Sequence, residues 1–511
     1  MNKRMVWALI AGPGLAMASL LLVFFVLGRS TVEATHGGAG AVPDLQPQIA
    51  TFTVSGTVTC QATGPISDVE VYAWNRDNGT GFVGGVTDSS GAYRVTLEEG
   101  NYRLEFTPPP AAELNAKAFT TTQIMTDTVL DVNFCVCSGA WVTETVDGVG
   151  NVGNGGDTSL ALAPTYPYTP HISYSSVSSQ GVKHAWLSGA IWLSDTVYSS
   201  DTVDPQERNK GPISLALVPT YPYTPCIAYH DRACHDTGCS GVWFACWDGT
   251  TWVSQVVEAG HFQGQYGVSL ALEPVYPYTP HISYHLLWSD NDLKYAYLSG
   301  TAWMSGTWVI TTVDSAGAVG TGNSLALEQT HPYTPHISYY DGTKGDLKHA
   351  WRSGTTWLSE TVDSEGDVGG STSLALDSDG DPHIGYLDST NLYSFDLKYA
   401  WLSSTTWLTE TVDSEGDVGW FTSLALDGHG NPHISYYSRT PGGLRYARFD
   451  GGVWIVQTVD GGIDVGRHSS LALDPGGCPH ISYYDAPRGE LEYAHIPPRY
   501  LYLPMVMRNG R

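Results

Sequence analysis

Positive charge is what this chain has least of. Lysine and arginine together number 24 against 51 aspartates and glutamates in 511 residues, a formal net charge of −27. A surface so acidic repels phosphate backbones, which excludes nucleic acid as a partner. Helical periodicity is missing too: no segment of the repeat region carries an apolar period of 3.6, so helices should be nearly absent there. The C-terminal segment lacks the Thr-Gly of a sortase signal. The unit before the repeats offers no nucleophile paired with a base.

What the chain does have is one phrase used over and over. Ser-Leu-Ala-Leu begins at Ser159, Ser214, Ser269, Ser324, Ser373, Ser423 and Ser470, and each copy leads into a segment like Pro-His-Ile-Ser-Tyr. The copy at 373–412 is the clearest. Its runs at 373–376, 382–386, 396–401 and 407–412 alternate β-branched, aromatic and small residues between Gly, Asp, Ser and Pro clusters. They read as four antiparallel strands, A to D from the axis outwards. Such a unit cannot bury its own faces, so the copies must stack radially until a ring closes. The fold class expected is all-β: a seven-bladed β-propeller with four-stranded blades. The segment 141–146 reads as a D strand ahead of the first A strand, while the last copy stops after its C strand at 491–495. Clasp closure follows: 141–146 completes blade 7 and hides the edges that an open array would expose.

Comparison among copies exposes pairs. If strands B and C form a hairpin, His171 faces Trp186, His281 faces Tyr297, His336 faces Trp351, His383 faces Trp401, His433 faces Arg448 and His480 faces His495. In blade 2 both partners change together, to Cys226 and Cys246, close enough for a bridge. Six histidines at one repeated position do not converge on a point. They read as scaffold, each imidazole stacked on its neighbour and bonded to a backbone carbonyl.

The N-terminus carries Lys3 and Arg4, then an apolar stretch over 5–27, long enough at about 20 residues to span a bilayer. Residues 1–34 are therefore either an export signal or an N-terminal membrane anchor, and the protein is expected to be secreted or held on the extracytoplasmic side of a bacterial cell envelope. Residues 35–50, rich in Gly, Ala and Pro, read as a flexible linker. A small N-terminal β-sandwich follows at 51–137, the propeller at 138–497, and an apolar tail with a basic end at 498–511. Export makes the eight cysteines disulfide partners. The expected pairs are Cys226 with Cys246, Cys234 with Cys239, Cys60 with Cys135, and Cys137 with Cys478 as a lock on the closure. Cys135 and Cys137 could exchange roles.

Two places could hold chemistry. The D–A and B–C loops share one face and make it rich in carboxylates: Asp341, Asp346, Asp363, Asp367, Asp388, Asp413 and Asp417. Trp420, which does not repeat, interrupts one of these loops. Together they are candidates for binding a polyhydroxylated ligand or calcium. On the opposite face Asp377, Asp379 and Asp381 alternate around a glycine, a pattern that suits a hard cation such as calcium. Trp357, Trp407 and Trp454 recur at one strand position and read as packing between blades, whereas Trp288 and Trp303 do not repeat and are candidates for exposure.

The stretch Thr87-Asp-Ser-Ser-Gly-Ala-Tyr-Arg, followed by Leu97, Gly100, Tyr102 and Leu104, resembles the carboxypeptidase regulatory-like family, a prealbumin-like sandwich. The resemblance covers nearly the whole of 51–137 and implies a non-catalytic spacer or adhesion module. The C–D turns at 248–252, 353–357 and 450–454 resemble the Asp-box of the sialidase-like propellers, one residue shorter between acid and aromatic. That resemblance implies a channel-mouth site and, for a sialidase, three converging arginines. Arg232, Arg352, Arg439, Arg467 and Arg488 lie in different repeats with no loop context to mark a triad. The expectation is a monomeric, non-catalytic binding or adhesion protein whose propeller head takes a glycan or a surface protein. The alternative is a glycoside hydrolase or lyase working at the channel mouth.

Overall fold

The computed structural model describes most of residues 51–496; segments 1–50, 61–63, 66–67, 76–79, 99–101, 108–116, 121–127, 130–131, 134–139, 149–156, 166–167, 177–180, 200–211, 232–240, 260–266, 286–290 and 497–511 lie outside the described residues. The expectations for the signal or anchor, the linker and the tail fall in those segments, as do Cys135, Cys137, Cys234, Cys239, Arg232 and Trp288.

From Val142 to His495 the chain forms a ring of seven four-stranded antiparallel sheets. Blade 5 is built from Val368–Leu376, Pro382–Asp388, Asp396–Ser403 and Thr406–Asp413, strands A to D. Six sheets keep this sequential order. In the seventh, Val465–Leu473, Pro479–Asp485 and Glu490–His495 receive their fourth strand, Val142–Asp147, from the other end of the repeat region. The predicted clasp is therefore present. Among the described residues there is no helix.

The N-terminal unit is two sheets facing one core. Thr51–Cys60 pairs antiparallel with Ala92–Glu98, and Glu70–Asn75 pairs with both Thr80–Val86 and Tyr102–Thr107. Alternation places Val54, Val71, Val95, Leu97, Leu104 and Phe106 inside. The Asp88 carboxylate accepts the amides of Ser90 and Ala92, and Gly91 turns the chain at φ 72°. This Asp-x-x-Gly turn is the one the sequence marks.

The propeller is held by contacts that repeat around the ring. At the axis, the Ser hydroxyl of each Ser-Leu-Ala-Leu accepts the amide of the first Leu in the next blade. Leu215 bonds Ser159, Leu270 bonds Ser214, Leu325 bonds Ser269, Leu374 bonds Ser324, Leu424 bonds Ser373, Leu471 bonds Ser423, and Leu160 bonds Ser470 across the closure, all at 2.9–3.0 Å. At the outer radius, the first Trp of every D strand meets an aromatic ring of the preceding blade's strand C edge-on. Trp407 on His349, Trp454 on Tyr399 and Trp141 on Tyr446 are three of the seven such contacts. The repeated tryptophans thus pack between blades, as their recurrence implies.

Between the two rings lies a layer of buried polar contacts. In six blades the Tyr of strand B donates to an acid ending the preceding D strand, for example Tyr386 to Asp363 and Tyr436 to Asp413, both 2.6 Å. In five of them a cation from strand C joins the same acid: Lys183, Lys294, Lys348, Lys398 and Arg445. Burial alone would raise the Asp363 carboxyl. Lys398, Tyr386 and the Glu365 amide together hold it below its ordinary value.

The B–C register is as predicted, including His383 opposite Trp401 and Cys226 opposite Cys246, which form a disulfide. The histidines differ from expectation in one respect. Their Nδ1 atoms meet side chains of strand C two residues before the registered partner, not backbone carbonyls: His184, Tyr295, His349, Tyr399, Tyr446 and Tyr493. Burial, with help from the adjacent His ring, pushes His171 and His336 down to about 3. Such rings stay neutral at physiological pH, which fits a scaffold role.

Blade 7 breaks the pattern. Glu492 occupies the strand C position that carries Lys398 in blade 5, and each pairs with the Tyr of strand B. It is 5% exposed and accepts a 2.8 Å bond from Thr145 of the clasp. Burial, then the nearby Glu490 and Asp485, pushes its carboxyl up to about 7. The folded state therefore binds a proton that the unfolded state has released, between the ordinary glutamate range and about 7, so this group's contribution to stability falls as pH rises through that window. Glu492→Gln is expected to melt with the parent near pH 5 but to be more stable at pH 8, by on the order of 1–3 kcal/mol; parallel pH–melting curves for the two proteins would refute this. Ser470→Ala should cost about 1–3 kcal/mol by stranding the Leu160 amide at the closing seam, measurable by denaturant unfolding.

Candidate functional site

Each D–A loop of blades 4 to 7 returns to the axis through a Val-Gly step, with Gly320, Gly369, Gly419 and Gly466 left-handed at φ 86–103°. The close approach requires glycine: a Cβ on Gly369 would stand 2.8 Å from Leu347 of the preceding blade. Two residues further on, the chain reaches the channel mouth.

There each blade contributes the residue two places before its Ser-Leu-Ala-Leu: Asp157, Pro212, Gly267, Gly322, Ser371, Phe421 and His468. No two adjacent blades use the same residue except blades 3 and 4, which use glycine. With Thr321, Asn323, Leu387 and Trp420 they line a cavity of about 620 Å³ on the axis. Five of the seven axial residues are left-handed, and three of those are not glycine: Ser371 at φ 49°, Phe421 at 53° and His468 at 53°. A side chain held there costs about 1–2 kcal/mol relative to glycine, and such strain gathers at functional sites. The residue that follows ties three pairs of neighbouring blades together, with Thr158 donating to the His468 carbonyl, Thr372 to Gly322 and Ser469 to Phe421.

His468 is the best-placed polar group in the cavity. Its Nδ1 bonds the Asp157 carboxylate across the blade 7–blade 1 seam, and its ring centroid lies 4.0 Å from that of Phe421. A carboxylate only accepts, so Nδ1 carries the proton, and a neutral ring leaves Nε2 as an acceptor. Ser371 lines the same cavity, but the blade carrying Phe421 separates it from His468, and no hydrogen bond joins them among the described residues. The arrangement can stack a ring on Phe421 and Trp420 and satisfy hydroxyls with His468, Asp157, Ser371 and Asn323. It does not assemble a serine nucleophile with its base.

Most of the loop carboxylates expected to bind a ligand are already engaged. Asp363 and Asp413 are the interblade acids described above. Asp341, fully buried, accepts the amides of Thr343 and Lys344. Asp346, also buried, stands opposite it in register. Asp367 accepts the Tyr340 hydroxyl, and Asp388 accepts the Thr390 amide. Asp417 accepts the Trp420 indole at 2.8 Å and thereby orients it. Of the eight residues only Trp420 lines the cavity; it also packs on Phe395 with centroids 5.1 Å apart.

The proposed cation turn has another explanation. Asp377 accepts the amides of Asp379 and Asp381 and faces the His383 imidazole at 3.6 Å. Asp427 and Asp474 cap the corresponding turns of blades 6 and 7 in the same way. The Asp377 carboxylate serves the turn, and no group of three His, Cys, Asp or Glu able to hold a metal occurs among the described residues. Cys478, at the end of the blade 7 turn, is disulfide-bonded. The sialidase-like resemblance gains no support. Arg352 lies over the Tyr297 ring, while Arg439, Arg467 and Arg488 pair with Asp417, Asp464 and Asp485.

The axial residues were legible, though not in the loops where acids cluster. Aligning the copies on Ser-Leu-Ala-Leu and stepping back two places shows a position that varies beside one that does not.

No curated protein matches the chain. Similar solved structures include AofleA from Arthrobotrys oligospora, at 13% identity over 63% of this chain and 90% of that one, TM-score 0.40. A mutant Aleuria aurantia lectin in complex with α-methyl-L-fucoside is 9% identical over 60% of this chain and 96% of that one, TM-score 0.42. An ulvan lyase from a new polysaccharide lyase family is 11% identical over 69% of this chain and 95% of that one, TM-score 0.48. Residues 53–134 match the carboxypeptidase regulatory-like domain family, and the N-terminal unit is a domain of that kind.

Proposed function

We propose that the protein is a non-catalytic carbohydrate-binding protein whose propeller takes a glycan at the channel mouth. The carrying observation is the axial position itself, where an invariant scaffold presents different side chains and keeps Ser371, Phe421 and His468 in a conformation that glycine would adopt without strain. An aromatic floor with a few converging polar groups is the general chemistry of sugar recognition: ring faces stack and hydroxyls find both donors and acceptors. The net charge of −27 and the Asp157 carboxylate in the cavity favour a neutral glycan over an acidic one. The Cys226–Cys246 disulfide supports an extracytoplasmic setting, with the N-terminal domain as a spacer between envelope and head.

A glycan array should return neutral oligosaccharides. Calorimetry with the best of them should show Phe421→Ala and Asp157→Asn each weakening binding about tenfold or more, while Asp379→Ala, an exposed change in a blade 5 turn, leaves it unaltered. Binding untouched by both channel-mouth changes would remove the site. Turnover in a fluorogenic glycoside panel, lost in Asp157→Asn, would replace binding with catalysis.

A further inference from the structure

The A–B turns divide the ring into two unlike arcs. Blades 5 to 7 use the compact Asp-capped turn, whereas blades 2 to 4 use Tyr221-Pro-Tyr223, Tyr276-Pro-Tyr278 and His331-Pro-Tyr333. In each of these three the last Tyr is left-handed, at φ 58°, 55° and 54°. It stands edge-on to the first ring of its turn, at 5.9, 5.9 and 5.7 Å between centroids. The inner tyrosines reach sideways: Tyr223 bonds Thr165 of blade 1, and Tyr278 bonds Thr220 of blade 2, both 2.9 Å. Trp303, from the C–D turn of blade 3, packs edge-on against Tyr278 and donates its amide to the Tyr276 hydroxyl.

This construction holds the outer rings out. Tyr221 is 86% exposed and Tyr276 60%, although each is braced by a perpendicular tyrosine that is itself tied to the neighbouring blade. Large aromatic rings fixed in water at this cost in backbone strain mark a contact surface. The strain buys nothing for the ring itself, since blades 5 to 7 close the same connection with Asp and Gly. We propose that the A–B turns of blades 2 to 4 form a second carbohydrate surface, one that takes a neutral polysaccharide lying across consecutive blades.

Three features select that partner. The rings recur once per blade, so the ligand that fits them has a repeat of its own. A proline follows each ring, and Thr–Tyr hydrogen bonds tie the turns of adjacent blades together, so the rings are presented one per turn for face-on stacking. The strong negative charge of the chain disfavours an acidic polymer. Each ring offers a weak stacking site, and a polymer gains by engaging several at once. This surface does not depend on the channel-mouth reading.

The test is affinity electrophoresis of the full chain through gels containing soluble xylan, hydroxyethylcellulose or amylose, with alginate as the acidic comparison. Retardation by at least one neutral polymer, weakened roughly tenfold or more in the double variant Tyr221→Ala/Tyr276→Ala and kept in Phe421→Ala, is expected. Both substituted tyrosines are largely exposed and Tyr276 gives up only a long 3.4 Å contact with the Trp303 amide, so the melting temperature should move little, and this is checked alongside. Retardation lost in Phe421→Ala but intact in the double variant would assign polymer binding to the channel mouth and overturn the second surface. So would no retardation by any neutral polymer, or retardation by alginate alone.

Discussion

One hydrogen bond, made seven times, sets the geometry of this molecule: a serine hydroxyl at the axis accepting the amide of the next blade's leucine. The innermost strands are too far apart to pair as a sheet, yet their amides are turned toward one another in a crowded interior where an unmet donor is costly. A short side chain with one acceptor in reach answers that need and fixes the offset between neighbours. Leucine on either side fills the wedge, and the alanine between leaves room for it. Ser-Leu-Ala-Leu is thus the minimal sequence for an axial strand in this ring, which is why it survives in every copy while the loops drift.

The outer layers follow from that inner ring. Once the blades are set at a common angle, strand D of one lies against strand C of the last, and a tryptophan edge on an aromatic face fills the widening gap. The acid that ends each D strand meets Tyr and Lys of the next blade because the same offset carries it there. Blade 2 shows what holds when the polar layer fails. It has Trp243 at the position that carries Lys in four other blades, and Tyr229 stacks on Tyr198 with no hydrogen-bonded acid among the described residues. There the B–C hairpin is bridged by Cys226 and Cys246, replacing a pair of rings with a covalent bond.

Blade number, strand order, hairpin register, the clasp and the blade 2 bridge could all be read from the sequence, because each is a relation within one repeat or between copies of it. What could not be read lies between blades. Asp363 looks like a loop acid free to bind a ligand until Tyr386 and Lys398, over twenty residues away and in another sheet, are seen to hold it. The same holds for the histidines, whose partners sit diagonally and not opposite. Asp377 and its neighbours resemble a cation loop because a turn capped by Asp and a loop that cradles a metal draw on the same residues for different reasons.

The pair formed by His468 and Asp157 belongs to two blades that are far apart in the chain and adjacent in space. Blade 1 follows directly from the clasp, and blade 7 ends the ring, so this contact lies on the only radial line along which the propeller can be unzipped without cutting the chain. A molecule bound over both side chains acts there as a rivet: its binding free energy adds to the work of peeling the clasp away. Tension along the chain that opened the seam would dismantle the pocket in the same motion. For a glycan held there as proposed, grip on the ligand and resistance to pulling would be one mechanical property.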